Sequence, residues 1–110
     1  MSNRLQQLIE FLAESPGDPF LTYALATEHL KLGQTEDALH HYEALVNDHP
    51  DYVGTYYHLG KLYEALGRKA DAVDTYEKGM QAARAKRDMH ALSELQGAYH
   101  LAAGDDDDDD

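Results

Sequence analysis

The segment GTYYHLGK, residues 54–61, contains two glycines and a Gly-Lys pair, which are residues that phosphate-binding loops use. A Walker loop places four residues between its first glycine and its Gly-Lys pair, and then a serine or threonine that holds magnesium. Here five residues separate Gly54 from Gly60, and Leu62 follows Lys61 where the hydroxyl should be. No strand-like run precedes the segment. The spacing therefore argues against a nucleotide site.

The seven histidines invite a metal hypothesis, since His40 and His41 are adjacent. Adjacent side chains point about 100° apart on a helix, whereas a helix face chelates an ion through residues three or four apart. No histidine pair has that spacing, and Glu36 with His40 is the nearest mixed pair. We therefore expect histidines on helix surfaces, and neither a metal nor another cofactor.

The sequence gives equally little support for a catalytic site. No strained turn surrounds a serine that could act as a nucleophile, and the chain has no cysteine. Carboxylate pairs such as Glu36 with Asp37, and Asp71 with Asp74, fit the electrostatics of the first turn of a helix. The sequence therefore predicts a protein that is not an enzyme.

The formal net charge of -12 disfavours nucleic acid as a partner, because phosphate binding needs clustered Lys and Arg. Half of this charge lies in the terminal run 105–110, in which six adjacent aspartates repel each other. We expect this run to be a disordered tail or an added tag. No apolar run reaches the length of a signal peptide or a membrane span. A cytoplasmic protein without a membrane partner is the plain expectation.

The chain repeats itself at an offset of 34 residues, a period that indicates a helical repeat. The paired positions match small residues with small ones and aromatic residues with aromatic ones. They are Leu25 and Leu59, Ala26 and Gly60, Gly33 and Gly67, Ala38 and Ala72, and Tyr42 and Tyr76. The same offset carries Pro50 back to Pro16, so the N-terminal segment is half a unit in register.

Apolar residues at steps of three and four predict two helices in each unit, and six helices with no strand in all. Asp18 before Pro19 predicts a capped start, Gly33 an end, and Thr35 the cap of the next helix. Gly60 predicts a close approach of two helices, with Ala72 facing it. The predicted single domain spans 1–104. Its parts are a half-repeat helix over 3–16, repeats over 19–52 and 53–86, and a capping helix over 88–102.

The second unit resembles the tetratricopeptide repeat family, whose pattern is W-x2-L-G-x2-Y, then A-x3-F, then P. The matching residues are Tyr56, Leu59, Gly60, Tyr63, Gly67, Ala72 and Tyr76. The first unit departs from the pattern with Thr22 and His29 at two aromatic positions. The resemblance implies an all-α right-handed superhelix of antiparallel helix pairs, in which the first helices line a concave groove. Its implied groove residues are Phe20, Tyr23, Thr27, Lys31, Tyr57, His58, Lys61 and Glu64.

The resemblance also implies an adaptor that binds a peptide segment or helix of a partner protein. A subset of the family clamps the carboxylate tail of chaperones with Lys, Asn and Arg, but Tyr23, Thr27 and His58 occupy the corresponding positions. An acidic groove suits a neutral or basic segment better. Two alternatives stay open. The aromatic side chains at 20, 23 and 57 could pack under the terminal helices, and those helices could stack copies into a homo-oligomer. A monomer or a weak homodimer is expected.

Overall fold

The computed structural model describes residues 3–104, and these residues form six α-helices and no strand. The six helices are α1 (Asn3–Glu14), α2 (Pro19–Lys31), α3 (Thr35–Asp48), α4 (Gly54–Ala65), α5 (Lys69–Lys86) and α6 (Met89–Gly104). The predicted all-α class and the six helices are confirmed. The predicted acidic tail, 105–110, lies outside the described residues.

Local chemistry sets most of the helix ends. The carboxylate of Asp18 accepts hydrogen bonds from the backbone N–H groups of Phe20 at 2.9 Å and Leu21 at 3.4 Å, and Pro19 is the first helical residue of α2. Gly33 and Gly67 adopt φ values of 77° and 75° after α2 and α4, a conformation in which glycine has no Cβ to clash. These predicted starts and stops are confirmed.

Two boundaries differ from the sequence prediction. Thr35 is the first helical residue of α3 and does not cap it; Gln34 holds the cap position, without a side-chain hydrogen bond. α4 begins at Gly54 and not at about residue 52, which explains why a glycine is tolerated there. α5 ends at Lys86, the predicted end of the second repeat, and the next residue, Arg87, holds the C-cap position in the left-handed conformation with φ 57° and ψ 33°.

The chain separates into two compact units, with the boundary between His49 and Pro50. In the first unit, α1 packs against α2, and α2 pairs with α3. Leu8 is the only buried residue of α1, while α3 buries Ala38, Tyr42 and Leu45. The core of this unit therefore lies mainly between α2 and α3.

In the second unit, α4 pairs with α5, and α6 contacts both of them. A Cβ on Gly60 would overlap the ring of Tyr76, so the absent side chain makes room for that ring. A Cβ on Gly79 would lie 2.5 Å from the Cβ of Tyr56. Because residues 56 and 60 of α4 meet residues 79 and 76 of α5, the two helices run antiparallel.

Candidate functional site

One face of α4 carries Tyr57, Lys61 and Glu64 at intervals of four and three residues, so the three side chains are neighbours. The Nζ of Lys61 lies 5.6 Å from the centroid of the Tyr57 ring and 4.0 Å from the Glu64 carboxylate. The Tyr57 ring is half-buried, whereas the Lys61 side chain is 45% exposed. A cation thus lies between an aromatic ring and a carboxylate on an accessible surface.

Glu64 also holds a core residue in place. The hydroxyl of Tyr76, on α5, donates a hydrogen bond to the Glu64 carboxylate, and the Tyr76 residue itself is fully buried. Burial raises the pKa of the Tyr76 phenol. The Glu64 carboxylate raises this pKa further, because it accepts a hydrogen bond from the protonated hydroxyl and carries a negative charge. Glu64 therefore belongs both to the predicted surface and to the anchoring of α5.

His58 lies close enough to α6 for the charge of Glu94 to act on it. Its ring is half-buried and meets the Tyr57 ring edge-on at a centroid distance of 5.8 Å. Burial lowers the pKa of His58, and the carboxylate of Glu94 on α6 partly offsets this effect. His58 therefore supports Tyr57 from the side on which α6 packs.

In the first unit, Phe20, Tyr23, Thr27 and Lys31 follow one another along one face of α2. Phe20 is 55% exposed, which makes it one of the large apolar side chains in contact with solvent. The Lys31 ammonium lies 3.9 Å from the carboxylate of Glu28. Phe20 and Lys31 are thus accessible at the two ends of this face.

Tyr23 and Thr27 lie between these ends and contact α3. The Tyr23 ring packs edge-on against the ring of Tyr42, with centroids 6.2 Å apart. The Thr27 hydroxyl lies 2.9 Å from the Tyr42 hydroxyl and 3.0 Å from the Tyr23 carbonyl oxygen. Burial raises the pKa values of both tyrosines, and the hydrogen bond to Thr27 opposes the rise. Thr27 therefore anchors Tyr42, as Glu64 anchors Tyr76.

In the first unit the four predicted residues follow one face of α2, whereas in the second unit Tyr57, Lys61 and Glu64 share a face of α4 and His58 is turned about 100° from Tyr57. The polar anchors of two of the buried tyrosines, Thr27 for Tyr42 and Glu64 for Tyr76, were not predicted. One signal was present, because a tyrosine in a core position needs a partner for its hydroxyl. The role of Gly79, which allows α5 to approach Tyr56, was not predicted either.

Three of the histidines gather in the first unit. The rings of His29 and His41 stack with centroids 5.3 Å apart, and the His40 ring lies 5.7 Å from that of His41. Within residues 3–104, no group of three histidine or acidic side chains is arranged to hold a metal ion. No helix in the same range is long and apolar enough to cross a membrane.

The arrangement of paired helices matches known proteins. The tetratricopeptide repeat family model matches residues 23–88. The chain is 29% identical over 91 residues to the TPR repeat-containing protein PA0015 of Pseudomonas aeruginosa, covering 83% of this chain and 87% of that protein.

Three solved structures are similar as well. A tetratricopeptide repeat domain protein of Salinibacter ruber is 56% identical with a TM-score of 0.77, over 79% of this chain and 98% of that one. Protein BPP2914 of Bordetella parapertussis is 27% identical with a TM-score of 0.79, over 96% of this chain and 92% of that one. The TPR2B domain of yeast Sti1, solved in complex with pHsp70, has a TM-score of 0.82 over 92% and 81%; at 17% identity it shows the fold alone.

The family match covers most of the two helix pairs that carry the 34-residue repeat, and it includes Gly33 and Gly67, which end the first helices, and the buried Tyr42 and Tyr76. The helices observed at these positions agree with the repeat pattern read from the sequence. The chain belongs to the tetratricopeptide repeat family.

Proposed function

We propose that this protein binds a peptide segment or helix of a partner protein through the exposed faces of its first helices, α2 and α4. Tetratricopeptide repeat domains bind protein or peptide partners and are generally interaction modules without catalysis. The residues we propose for contact are Phe20, Tyr23, Thr27 and Lys31 on α2, with Tyr57, His58, Lys61 and Glu64 on α4.

The observation that carries this proposal is the pair of contacts made by the half-buried Tyr57 ring. His58 meets it edge-on, and the ammonium of Lys61 lies 5.6 Å from its centroid. A ring that is already held in place loses little side-chain entropy when a partner covers it, and tyrosine is enriched among residues that dominate binding energy. We therefore assign Tyr57 as the main anchor.

The charges around this anchor favour a neutral or basic segment. The chain has a formal net charge of -12, and Lys61 is already close to a carboxylate, that of Glu64. An acidic segment would meet net repulsion, whereas a basic one would be attracted. The positions that the chaperone-binding subset fills with Lys, Asn and Arg hold Tyr23, Thr27 and His58 here. An acidic carboxylate tail is therefore a poor ligand for this surface.

Backbone amide NMR tests this directly. The protein is titrated with synthetic peptides of equal length and apolar content whose net charge is positive, zero or negative. We expect the positive and neutral peptides to shift amides of α2 and α4, and the negative peptide to shift few. Shifts confined to α3 and α5 would contradict the proposed surface.

Variants then assign the residues. Tyr57→Ala should weaken binding of the best peptide about tenfold or more, as expected for an aromatic anchor. Lys61→Ala should weaken it by a smaller factor, because it removes a group that holds the ring. Lys78→Ala on α5 is the matched control, since Lys78 is exposed and paired with Asp74 at 3.0 Å. If Lys78→Ala weakens binding as much as Tyr57→Ala, the loss of affinity comes from a change in net charge or stability, and Tyr57 is not the anchor.

A further inference from the structure

We propose that two copies of this chain associate through their α1 helices, packed antiparallel about a two-fold axis. Four exposed residues of α1, Arg4, Gln7, Phe11 and Glu14, follow one another at steps of three, four and three. This spacing places them on one stripe of the helix, as in the contact seam of a pair of packed helices. Leu8, the buried residue of α1, lies beside this stripe.

The charges of this stripe oppose the dipole of their own helix. Arg4 lies in the first turn of α1 and Glu14 is its last residue, whereas α1 has no acidic residue in its first turn and no basic residue in its last. A helix is stabilised by negative charge at its start and positive charge at its end. The placement of Arg4 and Glu14 therefore costs α1 stability, and an antiparallel neighbour would reverse this cost.

A second copy of α1 can be this antiparallel neighbour. With a two-fold axis that crosses the stripe at the level of residue 9, the antiparallel pair places Arg4 of each copy opposite Glu14 of the other, and Gln7 opposite Phe11. Each end then joins opposite charges and opposite helix-dipole ends. A two-fold interface must be complementary to itself, and this stripe is.

Phe11 supplies the apolar contact. It stands 34 residues before Leu45, which is 1% exposed, yet Phe11 is 52% exposed. Burying the Phe11 ring against the second copy removes apolar surface from water. Because helices of only three turns bury a small area, the dimer should be weak, at the lower end of specific interfaces.

Sedimentation equilibrium of the full chain over a wide concentration range tests the proposal. The wild type should pass from monomer toward dimer. Arg4→Glu and Glu14→Arg should each weaken association about tenfold or more, since each places like charges together at both ends of the pair. The double variant should restore association, because it exchanges the two charges and keeps them complementary. Phe11→Ser should abolish it.

Loss of folding cannot mimic this pattern. Both charge changes agree with the helix dipole, so each single variant should keep its helix content and unfold no more easily than the wild type. Arg84→Glu on the exposed surface of α5 is the control for net charge, and it should leave association unchanged. A monomer at all concentrations, equal association of the single variants and the wild type, or a double variant that stays monomeric would each overturn the proposal. This test is independent of peptide binding.

Discussion

At the scale of single residues, Tyr56 and Tyr57 are adjacent in sequence but lie in different surroundings. Tyr56 is 3% exposed, packs against Gly79, and its hydroxyl donates a 2.5 Å hydrogen bond to the carbonyl oxygen of Pro50. Tyr57 is half-buried and contacts His58. The two rings should therefore contribute differently to stability and to binding.

We predict that Tyr56→Ala lowers the free energy of unfolding by roughly 3 kcal/mol or more, because it leaves a cavity and an unpaired carbonyl. Tyr57→Ala should cost about 1 kcal/mol, since its ring is only half-buried. Urea unfolding followed by circular dichroism measures both. Equal losses would mean that Tyr57 is a core residue and that the proposed binding surface is misplaced.

Substitution of two helical glycines by alanine should change stability in opposite directions. A Cβ at Gly60 would overlap the Tyr76 ring, whereas a Cβ at Gly97 on α6 would meet nothing within 4 Å. Gly60→Ala should therefore destabilise the protein by about 1–3 kcal/mol through overpacking. Gly97→Ala should stabilise it by about 0.5–1 kcal/mol, because alanine favours the helix. Melting temperatures that move in the same direction would refute this contrast.

At the scale of helices, the sequence predicted most boundaries because they depend on local chemistry. Asp18 with Pro19, and the glycines at 33 and 67, act on residues within a few positions of themselves. The proposed binding face is what the family resemblance implies, and it stays a proposal. The contacts of Thr27 with Tyr42 and of Glu64 with Tyr76 were not predicted, since they depend on how residues 12 to 15 positions apart meet across a helix pair.

The end of α5 offers a prediction at this scale. Arg87 adopts a left-handed conformation that costs a residue with a Cβ about 1–2 kcal/mol. Arg87→Gly should raise the free energy of unfolding by about 0.5–1 kcal/mol, because part of the gain is lost to the greater freedom of glycine in the unfolded chain. Lys86→Gly, one residue earlier in the helix, should lower it by about 1 kcal/mol. If both variants are destabilised equally, Arg87 makes contacts that outweigh its conformation.

At the scale of the whole molecule, stability should depend on pH through one half-buried histidine in each unit. Burial lowers the pKa of His41, with a further lowering from His29 and His40 that Asp37 opposes, and burial also lowers the pKa of His58. The unfolded chain therefore binds more protons than the folded one as the pH falls through the unfolded value of about 6.5. Stability is complete above that value and decreases below it.

Urea unfolding at pH about 7.5 and about 5.5, on either side of this value, should show a lower free energy of unfolding at the acidic pH. In the variant His41→Gln with His58→Gln, the difference should shrink, because the titrating groups are gone. An unchanged difference in this variant would assign the pH dependence to other groups.

Because several phenols are buried, the tyrosine absorbance of the protein in alkali should differ between the folded and the unfolded chain. It has eight tyrosines and no tryptophan, so phenolate formation dominates its near-ultraviolet change in alkali. Burial raises the pKa values of Tyr23, Tyr42, Tyr56 and Tyr76. The folded chain should therefore produce less phenolate than eight free tyrosines would at moderately alkaline pH, and unfolding should release the remainder. The size of this missing absorbance measures the folded fraction without any added dye or introduced fluorophore.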